Sequence, residues 1–99
     1  MVIYRVISAT AAEGKEEEAV KWLTKTTQYV NENYSSHAEG TRSLDGAGSR
    51  YHWVEKCESL AVWEENNKKQ LADATLQAMV KELPGLFKDF DAHFYEVVT

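Results

Sequence analysis

The chain has 99 residues, 43% hydrophobic and 27% charged, with a formal net charge of −5. This length suffices for one compact domain, and the composition excludes disordered, collagen-like and low-complexity chains. The negative charge disfavours binding to nucleic acid or to an anionic membrane. No apolar run exceeds four residues and the N-terminus lacks a signal-peptide pattern, so we predict no membrane-spanning segment. The single cysteine, Cys57, cannot form an internal disulfide and indicates a cytoplasmic location.

The first half of the sequence predicts a strand, a helix and a second strand. Residues 2–10 (VIYRVISAT) are rich in β-branched residues and contain no turn formers, which is typical of a strand covered on both faces. After Gly14 we predict a helix to about Asn33 or Tyr34, with three glutamates in its first turn, where the helix dipole favours negative charge. Its apolar stripe consists of Ala19, Trp22, Leu23, Thr26, Val30 and Tyr34. The polar segment 37–44 is then predicted to be an edge strand.

The second half predicts a third strand, two helical segments and a fourth strand. A glycine-rich turn at 45–49 precedes a strand over 50–57. Ser59 is the expected N-cap of a helix, and Asp73 caps a further helical segment. Pro84-Gly85 is expected to kink or end that segment. The apolar stripes of the two helices are Leu60, Trp63, Asn67 and Leu71, then Leu76, Met79, Val80, Leu83 and Phe87. The final strand is predicted from about Ala92 to Val98.

The order β-α-β-β-α-β predicts a single α+β domain over residues 1–99 with a ferredoxin-like fold. Right-handed crossovers place the first and third strands at the centre of a four-stranded antiparallel sheet, with both helices on one face. The other face keeps apolar side chains under either assignment of the strand faces. One assignment exposes Ile3, Ile7, Val54, Tyr95 and Val97, and the other exposes Tyr4, Val6, Tyr51 or Trp53, and Phe94. Because such a face is rarely left in water, we predict a homodimer whose open sheet faces close into a barrel-like core.

Three segments of the chain are similar to a known superfamily. Residues 12–16 (AEGKE) form an acidic start to the first helix. Residues 53–63 (WVEKCESLAVW) combine a hydrophobic strand bearing a glutamate, a short acidic turn and an amphipathic helix. Residues 76–87 form a helical stretch with Pro84 near its end. In these features the chain resembles the dimeric α/β-barrel superfamily, which contains antibiotic biosynthesis monooxygenase-like proteins and NIPSNAP-like domains.

The resemblance implies a function in binding small molecules. Members often bind a flat aromatic or oxygenated molecule between sheet and helices. Some oxidise it with O₂ and no cofactor, because the substrate's own enolate or phenolate supplies the electrons. A cofactor-independent monooxygenase is therefore implied, and the alternative is a non-catalytic ligand-binding or stress-associated domain of the same fold. Glu55 matches the strand glutamate of the family, and Asn66 falls where many members have a helix histidine. Haem degradation is not expected, because Ile7 replaces an asparagine of the haem-degrading branch and the second helical region has no histidine.

Three residues on predicted strands are candidates for catalysis. Arg5 lies in the middle of a central strand, where a guanidinium needs a carboxylate or an anionic ligand. The alternatives are an ion pair with Glu55 or Glu96, and an anionic oxygen of a substrate. His52 and His93 are candidate general bases, since imidazole titrates near neutral pH. Each histidine is otherwise a packed residue or lies at the rim of the sheet.

A second set of residues is predicted to bind the ligand, because aromatic rings and sparse polar groups are typical of small-molecule pockets. The set consists of Trp22, Tyr29, Trp53, Glu55, Trp63 and Asn66. The alternative is that the rings fill the core and the dimer interface. No metal site is expected, since His37, His52, His93 and Cys57 lack the spacing of metal ligands. No cofactor is expected either.

Overall fold

Four strands and four helices form the part of the chain that the computed structural model describes, residues 1–46 and 49–99. They are β1 (Ile3–Ala11), α1 (Glu16–Asn33), β2 (His37–Arg42), β3 (Arg50–Cys57), α2 (Leu60–Leu71), α3 (Ala74–Val80), α4 (Leu83–Leu86) and β4 (Phe87–Glu96). The antiparallel sheet has the order β2-β3-β1-β4. The predicted ferredoxin-like fold, with the first and third strands at the centre, is therefore confirmed. Of the predicted turn at 45–49, residues 47 and 48 lie outside the described residues.

The register of the central strands decides which side chains face the helices. Arg5 lies opposite Glu55 on β3 and Phe94 on β4, and residues directly opposite one another share a face. The helix-facing set is Ile3, Arg5, Ile7, Ala9, Tyr51, Trp53, Glu55, Cys57 and Phe94. The open face carries Tyr4, Val6, Ser8, His52, Val54, Lys56, His93 and Tyr95. Odd-numbered residues of β1 therefore share a face with odd-numbered residues of β3. Both predicted assignments of the open face were wrong in part, because each combined odd-numbered residues of one central strand with even-numbered residues of the other.

Strand β4 begins five residues earlier than predicted and contains an irregularity. Its pairing with β1 shifts register between Ser8 and Thr10, and Asp89 has a positive φ of 55°. One more residue lies on the β4 side than on the β1 side, as in a β-bulge. Phe87 lies opposite Ala11, and Phe94 lies opposite Arg5. The two phenylalanines are seven positions apart and would face opposite sides of a regular strand, but because of the bulge both face the helices. The prediction of Phe87 as part of a helical stripe was wrong, since it is the first residue of the strand.

Arg50 holds the two sides of this bulge together. Its guanidinium donates to the carbonyl oxygen of Asp89 at 2.6 Å and to the carboxylate of Asp91 at 2.7 Å. A longer contact of 3.3 Å reaches the hydroxyl of Thr10 on β1. The Arg50 side chain therefore extends from β3 across β1 to β4. These contacts hold the irregular part of the edge strand β4 in place.

Helix α1 contributes the most regular part of the core. Its predicted stripe is confirmed from Ala19 to Val30, and Val30 has no exposed surface. Val30 packs in a cluster with Ala38 of β2 and Leu76 of α3. At Gly40 of β2, an added Cβ would lie 3.3 Å from the Cβ of Leu23. The absence of a side chain at Gly40 thus permits close packing of α1 on this edge strand.

Asp73 joins α1 to α3. As the N-cap of α3, its carboxylate accepts the backbone N–H of Leu76 at 3.1 Å. Its other oxygen accepts the hydroxyls of Tyr34 at 2.7 Å and Tyr29 at 2.8 Å. The hydroxyls of Tyr34 and Tyr29, followed by the Leu76 N–H, hold the pKa of the Asp73 carboxyl below its ordinary value. Burial and the hydrogen bond to Asp73 raise the pKa of Tyr34 to about 12.

Replacement of Val30 tests how much the α1 core contributes to stability. Val30→Ala removes two fully buried methyl groups and is expected to lower the free energy of unfolding by about 2 kcal/mol. Val20→Ala is the matched control, because Val20 lies on the same helix but is 41% exposed. We expect the control to change stability by less than about 0.5 kcal/mol. Urea unfolding followed by circular dichroism measures both, and equal effects would contradict this description of the core.

The Asp73 contacts predict an acid-sensitive contribution to stability. The folded-state pKa lies below the ordinary value of 3.8, so the contribution is fully present above pH 3.8 and is lost as pH falls through the folded-state pKa. Asp73→Asn removes the charge, so its stability deficit at neutral pH should shrink in acid. Thermal unfolding of both proteins from pH 2 to 7 measures this, with Asp45→Asn in an exposed bend as control. A deficit that is independent of pH would contradict the role given to the Asp73 charge.

Candidate functional site

A cavity of about 340 Å³ lies between the helix-facing side of the sheet and the helices. This volume is at the lower end of the range of small-molecule pockets, roughly 300–1,000 Å³. Its aromatic residues are Trp22, Tyr51, Trp53, Trp63, Phe87 and Phe90, and its hydrogen-bonding groups include Arg5, Thr26, Glu55, Asn67 and Gln70. Aromatic walls with a few convergent polar groups are the usual composition of a site for a small, flat molecule.

Arg5 lies at this cavity with its guanidinium against aromatic rings. Its Cζ atom is 4.3 Å from the ring centroid of Phe94 and 5.5 Å from that of Trp63. The two rings meet edge to face, with centroids 4.7 Å apart. Within residues 1–46 and 49–99, Arg5 forms no ion pair with a carboxylate. The internal ion pair considered for Arg5 is thus not observed there, and cation–π contacts hold the charge instead.

Glu55 is the buried carboxylate of the cavity, with 3% of its surface exposed. Its Oε2 atom accepts hydrogen bonds from the Ser36 hydroxyl at 2.5 Å and from Nε2 of Gln70 at 3.2 Å. The Oε1 atom receives only a long contact of 3.5 Å from the indole N–H of Trp53. Since a carboxylate oxygen has room for two donors, Oε1 can accept a further hydrogen bond.

The two candidate histidines lie on the other face of the sheet. The Nδ1 atom of His52 is 2.7 Å from the hydroxyl of Ser8, and its Nε2 atom is 2.9 Å from that of Ser43. His93 is exposed and lies 3.7 Å from a carboxylate oxygen of Asp91. His52 is among the residues that line the cavity with Arg5, but its imidazole is bound to Ser8 and Ser43, and His93 is not a lining residue.

Of the six predicted ligand-binding residues, Trp22, Trp53, Glu55 and Trp63 line the cavity. Tyr29 and Asn66 are not among the lining residues.

Both of the remaining predicted residues are engaged elsewhere. The hydroxyl of Tyr29 is bound to Asp73. Asn66 is 5% exposed, and its amide nitrogen donates to the Ser35 hydroxyl at 3.3 Å.

Asn67, Gln70 and Phe90 are among the lining residues that the sequence reasoning missed. Trp63, Asn67 and Gln70 follow one another at steps of four and three, so they share one face of α2. That spacing was visible in the sequence, where Asn67 already belonged to the predicted stripe. Phe90 was missed because the start of β4 was placed at Ala92.

Cys57 is a buried free cysteine of β3, two residues after Glu55. Burial and the neighbouring charge of Glu55 raise the pKa of the thiol to about 11. At neutral pH the thiol therefore stays protonated, and a protonated thiol is a poor nucleophile.

Among residues 1–46 and 49–99, no group of three or more His, Cys, Asp or Glu side chains is placed to hold a metal ion. None of the described helices has the length and apolar character needed to cross a membrane.

The fold of this chain is similar to that of solved structures described as NIPSNAP domain proteins and putative antibiotic biosynthesis monooxygenases. A NIPSNAP domain protein from Burkholderia xenovorans has a TM-score of 0.82 at 12% identity, covering 99% of this chain and 95% of that one. SnoaB from Streptomyces nogalater, a cofactor-independent oxygenase, has a TM-score of 0.77 at 12% identity, covering 99% and 94%.

A protein from Shewanella oneidensis has the same fold, with a TM-score of 0.76 at 24% identity, covering 95% of this chain and 88% of that one. Identities at this level show a shared fold. No family model matches the sequence, and no curated protein is significantly similar to it.

Proposed function

We propose that the cavity binds a small planar molecule with an acidic oxygen, and that the protein oxidises it with O₂ without a cofactor. The observation that carries this proposal is the Arg5 guanidinium, which lies at an aromatic cavity and has no carboxylate partner among the described residues. An anionic oxygen of a ligand would supply the missing acceptor, and the tryptophan rings would stack on its flat skeleton. The fold shared with SnoaB supports the proposal.

The proposed reaction begins from a phenolate or enolate in the cavity. The positive charge of Arg5 would stabilise the oxygen anion beside the aromatic rings of the cavity. The anion transfers an electron to O₂, and combination of the two radicals forms a carbon–oxygen bond. Loss of water then gives a quinone, so that one phenol and one O₂ yield one quinone and one water. The protein's part is to bind, orient and charge-stabilise the substrate.

The second candidate is a non-catalytic ligand-binding or stress-associated domain. An Arg5 paired with a carboxylate in a fully packed core would favour this candidate. The cavity beside Arg5 favours a ligand-binding pocket instead. Oxygen consumption separates the two functions. Ligand binding without uptake of O₂ would favour the non-catalytic domain.

The open face of the sheet supports a further part of the proposal, a homodimer. Tyr4 and Val6 of β1 lie there beside Val54 of β3, and Tyr95 of β4 is 55% exposed. A second copy related by a two-fold axis would present the same apolar face and cover both. A cytoplasmic location belongs to the same proposal.

Replacement of Arg5 tests the ligand site. In a thermal-shift screen of phenols, quinones and small aromatic acids, the wild-type protein is expected to be stabilised by aromatic compounds that carry an acidic hydroxyl group. Arg5→Gln should weaken their binding by roughly 10- to 100-fold, since a hydrogen bond to a charged group contributes about 1.5–3 kcal/mol. Arg42→Gln, at an exposed arginine of β2, is the matched control. No response of the wild type across the screen, or equal affinities of Arg5→Gln and Arg42→Gln, would contradict the proposal.

The homodimer predicts a concentration-dependent mass. Light scattering over a dilution series should give twice the chain mass for the wild type, and Tyr95→Glu should shift the protein towards monomer, because it places a charge in the apolar interface. Leu71→Glu is the control, since Leu71 is 66% exposed on α2, away from the open face. A wild type that stays monomeric at every concentration would rule out the dimer.

A further inference from the structure

We propose that Glu55 is the proton acceptor of the cavity and that its substrate is an acidic phenol or enol, whose oxygen Arg5 holds. This inference rests on the ligand site proposed above. Glu55 and Arg5 lie directly opposite one another on β3 and β1, and both line the cavity. Opposite residues of antiparallel strands have Cα atoms only about 4.5–5.5 Å apart. The two charged side chains nevertheless form no ion pair.

Separate contacts keep the two charges apart. The guanidinium of Arg5 is held over the Phe94 ring, and Oε2 of Glu55 is held by Ser36 and Gln70. The Oε1 atom of Glu55, with its long contact from Trp53, is the acceptor that remains available. One hydroxyl group of a ligand can hydrogen-bond to both residues, because its oxygen accepts from the Arg5 guanidinium while its proton is donated to Oε1 of Glu55.

The strength of the base defines the class of substrate. A carboxylate is in general a much weaker base than the anion of a simple phenol, so a simple phenol gives up its proton to a carboxylate only to a small extent. A nearby guanidinium offsets part of this difference. The site therefore suits hydroxyl groups acidified by a conjugated carbonyl or nitro group, such as hydroxyquinones and enols of 1,3-dicarbonyl compounds.

The proton-transfer step requires no other reactant. The O–H bond of the ligand breaks, the proton binds Oε1 of Glu55, and the electron pair stays on the ligand oxygen beside Arg5. The complex keeps the same total charge before and after the transfer. The oxygen anion formed in this way is the species from which the proposed reaction with O₂ starts.

The pH dependence of 4-nitrophenol binding tests the inference. With Glu55 ionised, the site takes the phenol together with its proton, so above the pKa of free nitrophenol each binding event requires uptake of one proton. The affinity of the wild type should then fall by about tenfold per pH unit. In Glu55→Gln, Arg5 alone selects the phenolate, so the affinity should rise with pH to a plateau. The control Glu58→Gln, at an exposed position outside the cavity, should keep the wild-type profile.

A second measurement uses the wild-type protein alone and does not depend on the folding of a variant. In complex with 2,4-dinitrophenol, a stronger acid, the shared proton should lie on the glutamate. The difference infrared spectrum should therefore gain the carbonyl band of a protonated carboxylic acid, and absence of that band would overturn the inference.

The outcomes separate the base from the ligand site. Binding of nitrophenol with the same pH profile in the wild type and Glu55→Gln would overturn the role of Glu55 and leave the proposed ligand site standing. Failure of the wild type to bind nitrophenol at any pH would overturn both. Opposite pH profiles in the two proteins, with the profile of Glu58→Gln unchanged, support the inference.

Discussion

The chemistry of the cavity depends on the register of β1 between β3 and β4. Successive side chains of a strand point to opposite faces, so a slip by one residue would exchange the two faces of the central strand. Arg5 would leave the helix side of the sheet, and Val6 would replace it between Glu55 and Phe94. The bulge in β4 also decides which side chains lie on the helix side of the sheet, because without it Phe87 and Phe94 could not both face the helices. Arg50, which bridges that bulge, therefore supports the cavity from outside it.

Most of the fold was predictable from local signals in the sequence. The apolar stripe of α1 and the capping residues Ser59 and Asp73 specify their elements within a few residues, and the order of elements leaves few topologies. The first residues of β4 escaped prediction for a physical reason. Phe87 follows Leu83 at a helical step, and the bulge after it breaks the alternation by which a strand is recognised. The assignment of side chains to the two faces of the sheet could not be predicted either, because it depends on the register between paired strands and not on one strand alone.

The candidate site was predictable in its residue types and less so in its positions. Tryptophans and a central-strand arginine at an apolar cavity follow from the sequence, and the structure places them there. His52 and Glu55 lie three positions apart on β3, and only the pairing with β1 shows that the glutamate and not the histidine shares a face with Arg5. On α2, one position of difference turns a side chain by about 100°. This rotation puts Asn66 against Ser35 and leaves Asn67 at the cavity.

The aromatic content of the chain, 11% of its residues, explains how so small a domain keeps a cavity at all. Protein interiors are closely packed, and flexible side chains would collapse into an unfilled space. The walls of this cavity are aromatic rings, and Trp22 is held in place by contacts with its neighbours. The indole N–H of Trp22 donates to the carbonyl of Met79 at 2.8 Å, and its ring contacts those of Trp53 and Phe87 at 6.4 and 6.0 Å between centroids. The Trp22 ring has two rotatable bonds, and its hydrogen bond and its contacts with two other rings oppose its collapse into the cavity. The same side chains therefore complete the core and preserve the space that a flat ligand would occupy.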